Sequence, residues 1–177
     1  MVWTLAAIGI TLAFVLFVIA FGTTLPREHV ATVRIRLAAS PSAVWTIISD
    51  PFSAGSWRKD VKTVEVLPDR DGRRAWREIS SNGTITFVLE ASVAGKNMVT
   101  RIDDSTLPFG GHWEYVLETN GDATVLTITE RGIVKPPLFR FMSRFVFGYT
   151  FTMQRYLTAL AMRLGENSVP EVVASGN

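Results

Sequence analysis

The sequence predicts an α+β fold, an antiparallel sheet of about seven strands closed by a long C-terminal helix, carried behind one N-terminal transmembrane helix. Three observations predict it. Residues 2–22 hold no charged side chain. Turn signals then recur at short, regular intervals between strand-like runs, as in an antiparallel meander. Finally, residues 138–164 repeat apolar side chains every three or four positions, the period of an amphipathic helix.

The first element, VWTLAAIGITLAFVLFVIAFG, is long enough as a helix to cross a hydrocarbon core of ~30 Å at ~1.5 Å per residue. A cleaved signal peptide would need a basic stretch ahead of a shorter apolar run, and no Lys or Arg precedes this one. The span is therefore read as residues 1–23, followed by a linker at 24–29. Arg27, Arg34 and Arg36 follow it, against only the α-amine in front, which predicts that the domain lies in the cytoplasm.

The folded domain is expected over residues 30–165. Val33, Ile35 and Leu37 alternate with Thr32, Arg34 and Arg36, the pattern of a half-buried strand. Ser40 can cap a helix whose first residue is Pro41, and Asp50-Pro51 ends it. A further short turn presents Trp57. Asp69-Arg70-Asp71-Gly72, Asn82-Gly83, Gly95-Lys96-Asn97 and Asn120-Gly121-Asp122 then separate strands expected near 61–67, 73–80, 84–94, 97–103, 111–119 and 123–132. Gly110-Gly111 marks a bulge or a close backbone approach. Pro136-Pro137 opens a helix expected to run unbroken from Leu138 to Leu164, and the tail 166–177 has no pattern and is expected to be disordered.

Cysteine is absent and there are two histidines, so thiol chemistry is excluded and a zinc or haem site has little to draw on. No metal and no cofactor is expected. The nucleophile elbow, the phosphate-binding glycine loop and the dinucleotide fingerprint are all missing. Net charge is +2, yet residues 135–164 carry five basic residues and no acid. Arg140, Arg144 and Arg155 fall close together around the expected helix, among Phe139, Phe141, Phe145, Phe147 and Phe151, which suggests contact with anionic lipid headgroups, the plainer alternative being a core helix with aromatic neighbours and a solvated arginine face. Nothing resembles a nucleic-acid-binding motif, so no nucleic-acid partner is expected. The sequence assigns no oligomeric state.

A curved sheet wrapped on one long helix can enclose an apolar space. In this order of elements the chain resembles the START-related helix-grip superfamily, also called SRPBCC, in its polyketide cyclase/dehydrase and lipid transport branch. Ser40-Pro41-Ser42-Ala43-Val44-Trp45 through Asp50-Pro51, Trp57, Pro108-Phe109-Gly110-Gly111-His112-Trp113 and Thr124 to Gly132 carry the likeness. The resemblance implies a pocket for a hydrophobic small molecule such as a lipid, an isoprenoid or a polyketide-like compound, without specifying a reaction. A leading anchor departs from the simplest members of that branch.

Strand alternation places Ile85, Phe87 and Leu89 on one face, with Trp113, Tyr115 and Leu117 on another strand and His112, Glu114 and Glu118 facing water. Together with Trp57, Trp76 and the helix residues Val146, Tyr149 and Met153, these are the expected ligand-binding set. The plainer alternative is that they form only a core. Glu78 and Glu130 lie in register with apolar neighbours, and a carboxylate held there would titrate high and could serve as a general acid or base. They are the catalytic candidates under a second reading, a cyclase or dehydratase. A third reading is a ligand-free interaction module at the membrane. The Asp103-Asp104 pair is read as a solvated turn, because adjacent strand residues point apart.

Overall fold

A computed structural model describes residues 2–81 and 83–174; Asn82, half of an expected hairpin turn, and the last three residues of the tail lie outside the described residues. Helix α1 (Val2–Thr24) leads into β1 (Glu28–Leu37), α2 (Pro41–Ile48) and a 3-10 turn at Pro51–Ser56. Strands β2 (Val61–Arg70), β3 (Arg73–Ser80), β4 (Gly83–Val93), β5 (Asn97–Ile102), β6 (Phe109–Asn120) and β7 (Ala123–Val134) follow. The chain then forms α3 (Pro137–Met142), a π turn at Ser143–Phe147, α4 (Phe151–Arg163) and β8 (Glu171–Val173).

All the strands join one curved, open antiparallel sheet in the order β2-β3-β4-β5-β6-β7-β1-β8, so that β1 crosses over to pair with β7. This is the expected α+β helix-grip architecture, with eight strands where the sequence suggested about seven. Register shifts between Leu89 and Ala91 of β4 and at both ends of the β2–β3 pair are bulges, which sharpen local twist and bend. Pairing runs unbroken through Gly110 and Gly111, so they mark a close backbone approach rather than a bulge: a Cβ at Gly111 would clash with the Arg131 carbonyl.

Local chemistry explains the short elements. The Ser40 hydroxyl accepts a hydrogen bond from the Ala43 amide at 3.3 Å and caps α2, with Pro41 in its first turn. Asp50 does the same for the 3-10 turn, its carboxylate accepting from the Phe52 amide at 3.1 Å. The core collects Val33, Ile35 and Leu37 of β1, Leu126 and Ile128 of β7, Val44 and Ile48 of α2, and Leu157 and Leu160 of α4. It fills one end of the trough and leaves the other open.

Two expectations are corrected. The segment 138–164 is not one helix: it breaks at Gly148, whose φ of 75° and ψ of 151° suit glycine alone. The two pieces serve different partners, α3 packing on α1 and α4 on β1, which one straight helix cannot do. The tail is not wholly without structure either. β8 pairs with β1, Thr32 opposite Val173 and Arg34 opposite Glu171, and the Glu171 carboxylate accepts from the Arg34 guanidinium at 3.1 Å. Without β8, β1 would present an unpaired edge.

Candidate functional site

Between the concave face of the sheet, α2 with its following turn, and the broken helix lies a cavity of about 560 Å³. Strand parity aims Trp76 and Glu78 of β3, Ile85, Phe87 and Leu89 of β4, and Trp113 and Tyr115 of β6 into it. Trp57 and Tyr149 close it from the other side.

Three members of the expected ligand-binding set lie elsewhere. Leu117 and Met153 are buried in the core, because the trough is already filled at that end, and Val146 on the π turn points out of the domain, 56% exposed. His112 sits opposite Arg101 and Arg131 on the face away from Trp113 and Glu130, as alternation expects, and borders the cavity where β6 runs past Gly110 and Gly111. Arg140 is not a membrane-facing residue. It is 6% exposed, with one guanidinium nitrogen donating to the Thr23 and Leu25 carbonyls (3.4 and 2.9 Å) and another to the Lys135 carbonyl (3.1 Å). The end of α1 leaves carbonyls without helical partners, and Arg140 supplies donors for that stretch of backbone. Arg144 and Arg155 are exposed.

The cavity has two polar clusters. In the first, Arg58 donates to both Glu78 oxygens (2.9 and 3.2 Å) and to Asp60 (3.3 Å), and its guanidinium lies 5.6 Å from the Tyr156 ring centroid. Burial works against its charge, but Glu78, Tyr156 and Asp60 outweigh burial and hold Arg58 above its ordinary pKa. Tyr156 packs edge-on to Trp57, Trp113 and Tyr115. Burial pushes the Tyr156 and Tyr115 phenols well above the usual tyrosine value. Close by, the indole nitrogens of Trp57 and Trp76 are buried with no hydrogen-bond partner in the protein, although Trp76 stacks on Phe87. Buried polar groups are normally satisfied, and both nitrogens are closed off from the cavity by the side chains around them.

The second cluster lies nearer the helix break. One Glu130 oxygen lies 3.0 Å from His29 Nε2, and the other accepts from the Trp113 indole at 2.8 Å. The His29 ring stacks on Tyr149, with centroids 3.9 Å apart. Both catalytic candidates, Glu78 and Glu130, therefore reach the cavity wall, and each is held by a basic or indole partner. A carboxylate paired with an imidazole can relay a proton to a bound group.

Outside the cavity, Asp103 accepts from Arg101 at 2.7 Å and from Arg70, which holds its carboxyl below the usual range. Asp104 accepts from the Thr106 amide and hydroxyl, closing a turn. Among the described residues no group of three or more His, Asp or Glu is placed to hold a metal ion.

Arg58, Tyr156 and His29 escaped sequence reasoning. Arg58 lies in a loop with no period to expose it, and His29 falls where a linker was expected. Tyr156 had a signal: it sits three residues after Met153 and one helical turn before Leu160, on the inward stripe of α4.

The family model for polyketide cyclase/dehydrase and lipid transport proteins matches residues 28–165. Among solved structures, a START superfamily protein from Mycobacterium smegmatis superposes with a TM-score of 0.61 at 17% identity, covering 77% of this chain and 97% of that one. The Zhui aromatase/cyclase from Streptomyces sp. R1128 gives 0.61 at 15% identity, over 75% of this chain and 91% of its own. A truncated norcoclaurine synthase from Thalictrum flavum gives 0.60 at 14% identity, over 77% and 93%. At these identities the likeness is one of fold. The curated proteins compared with the chain include no significant match. With the sheet, the cavity and the family match in agreement, the chain belongs, over residues 28–165, to the polyketide cyclase/dehydrase and lipid transport family.

Proposed function

We propose that this protein is a membrane-anchored binder of a hydrophobic small molecule, a lipid, an isoprenoid or a polyketide-like compound, held between the sheet and the C-terminal helical segment. The observation that carries this reading is the cavity itself: its ~560 Å³ falls within the range of small-molecule sites, and its walls are mainly aromatic and aliphatic. Ile85, Phe87, Leu89 and Tyr149 supply apolar contact, worth about 25 cal/mol per Å² before ordering costs.

Anchoring is supported by α1, whose residues Trp3–Thr24 are long and apolar enough to cross a bilayer and are largely unburied by the domain. On this reading Arg144 and Arg155 meet lipid headgroups and the domain is cytoplasmic. A guest that partitions into the bilayer is then concentrated where the protein is held.

A second reading, cyclase or dehydratase chemistry, is favoured by the Glu130–His29 pair on the cavity wall, which provides an acid–base couple next to bound substrate. Glu78, tied to Arg58, is the other candidate.

The test is extraction and mass spectrometry of compounds that co-purify with the full chain, beside a Leu89→Trp variant that fills the cavity. The expected result is a discrete hydrophobic compound whose recovery falls at least about tenfold in the variant, the loss that follows from ~1.4 kcal/mol of binding. Equal recovery from both proteins, or none from either, would remove the binding reading. Conversion of the recovered compound by the wild type and not by Glu130→Gln would move the assignment to the enzyme.

A further inference from the structure

The segment between α3 and α4 carries a surface that the cavity alone does not explain. Leu138, Phe139, Phe145, Val146, Phe147 and Phe151 are each 41–60% exposed, six apolar side chains within residues 138–151. Soluble surfaces rarely leave so large a patch uncovered. Two features of the fold say what covers it.

The first is its attachment to α1. Phe21 near the end of α1 packs against Phe141 and Phe145, with ring centroids 6.2 and 6.0 Å away. Gly22 seats directly on α3: a Cβ there would lie 2.2 Å from the Pro137 carbonyl oxygen. Arg140 ties the same junction to the Thr23 and Leu25 carbonyls. The domain therefore does not swivel freely beneath its anchor, and the patch is carried beside the point where α1 leaves the membrane. Residues 137–151 contain Arg140 and Arg144 and no acid, so nothing in the segment opposes an anionic lipid surface.

The second is continuity with the cavity. Phe139, Phe147, Gly148 and Phe151 line the cavity and are exposed as well, and the helical segment breaks on this side, at Gly148. This edge of the cavity is therefore rimmed by phenylalanines and lies on the segment that packs against α1.

From these we infer that the α3–α4 segment is seated in the headgroup–acyl boundary of the membrane that α1 crosses, and that the cavity opens there, taking its guest sideways from the leaflet. The inference rests on the anchored-binder reading, and names the partner surface as lipid bilayer and the guest as a compound dissolved in it.

Because the chain has no cysteine, single cysteines can carry an environment-sensitive fluorophore at chosen points of the full chain in phosphatidylcholine–phosphatidylglycerol vesicles. Leu138→Cys and Val146→Cys report on the patch, Ile10→Cys on α1, and Val66→Cys, exposed on the far edge strand, on water. Quenching at 138 and 146 by acyl-chain nitroxide lipid should exceed that at 66 by about threefold or more, with iodide showing the reverse, as expected for side chains at the acyl boundary. In the same vesicles a photoreactive fatty acid should form adducts within residues 138–151.

If 10 is quenched by lipid while 138 and 146 follow 66, the inference falls and the anchor stands. If 138 and 146 are reached by neither quencher, a protein partner or second copy covers the patch and the inference falls. Adducts confined to α1 would also overturn it. Loss of lipid quenching at 10 as well would sink the anchor itself. Recovery of a co-purifying compound is read separately, so failure of the binding reading is not mistaken for failure of the portal.

Discussion

At the scale of single residues, Tyr115 and Tyr156 give the cavity a pH signature. Both phenols are buried, and burial raises their pKa above that of an unfolded tyrosine near ~10. A group whose folded pKa is raised stabilises the fold fully below the unfolded pKa, and that contribution is lost as pH rises through the folded one. The protein should therefore lose stability above about pH 10, where unfolded tyrosines ionise and folded ones do not. In an alkaline titration, the phenolate absorbance of these two residues should appear together with loss of near-UV circular dichroism. Tyr156→Phe should remove part of that step. Ionisation near the ordinary tyrosine value with tertiary structure intact would mean that water reaches the wall freely.

At the scale of elements, Gly148 decides how the C-terminal segment is shared between α1 and β1. Its φ and ψ lie where a Cβ is strained, so Gly148→Ala should lower stability by about 1–3 kcal/mol, read as a reduced denaturation midpoint with an unchanged denaturant slope. No change would mean that the backbone relaxes and the break is incidental. The same break marks the limit of what could be read from the sequence. β1 was legible because Val33, Ile35 and Leu37 alternate cleanly, and α2 because Ser40-Pro41 announces its start. The cavity faces of β3, β4 and β6 followed from parity alone, which is why Trp76, Phe87 and Trp113 point where alternation predicted. The helix break was invisible because apolar spacing continues from Phe139 to Leu164 across Gly148, and the split depends on α1 as a partner. Arg140 was misread for the same reason: it looks like a surface arginine until the end of α1 is placed against it. β8 escaped because three residues at a chain end show no period, and only the open edge of β1 gives them a place.

At the scale of the whole molecule, the anchored-binder reading makes the junction of α1 with α3 the link between topology in the membrane and access to the cavity. The domain follows α1 directly, with three residues between the end of α1 and the start of β1. Arginines near a span set orientation through the cost of translocating them, and the first one after α1 is Arg27, then Arg34 and Arg36. Arg140 and Arg144 lie too far along the chain to add to this bias, and Arg140 is in any case held by backbone carbonyls inside the fold. On the proposed anchoring, Arg27, Arg34 and Arg36 favour the cytoplasmic side for the folded domain. A C-terminal fusion to a fluorescent reporter that matures only in the cytoplasm should be bright, and a fusion to a phosphatase that is active only outside should be silent. The converse pattern would put the domain and the mouth of its cavity at the outer leaflet, where Arg144 and Arg155 would meet a different headgroup population, and the guest would then be a lipid of that leaflet.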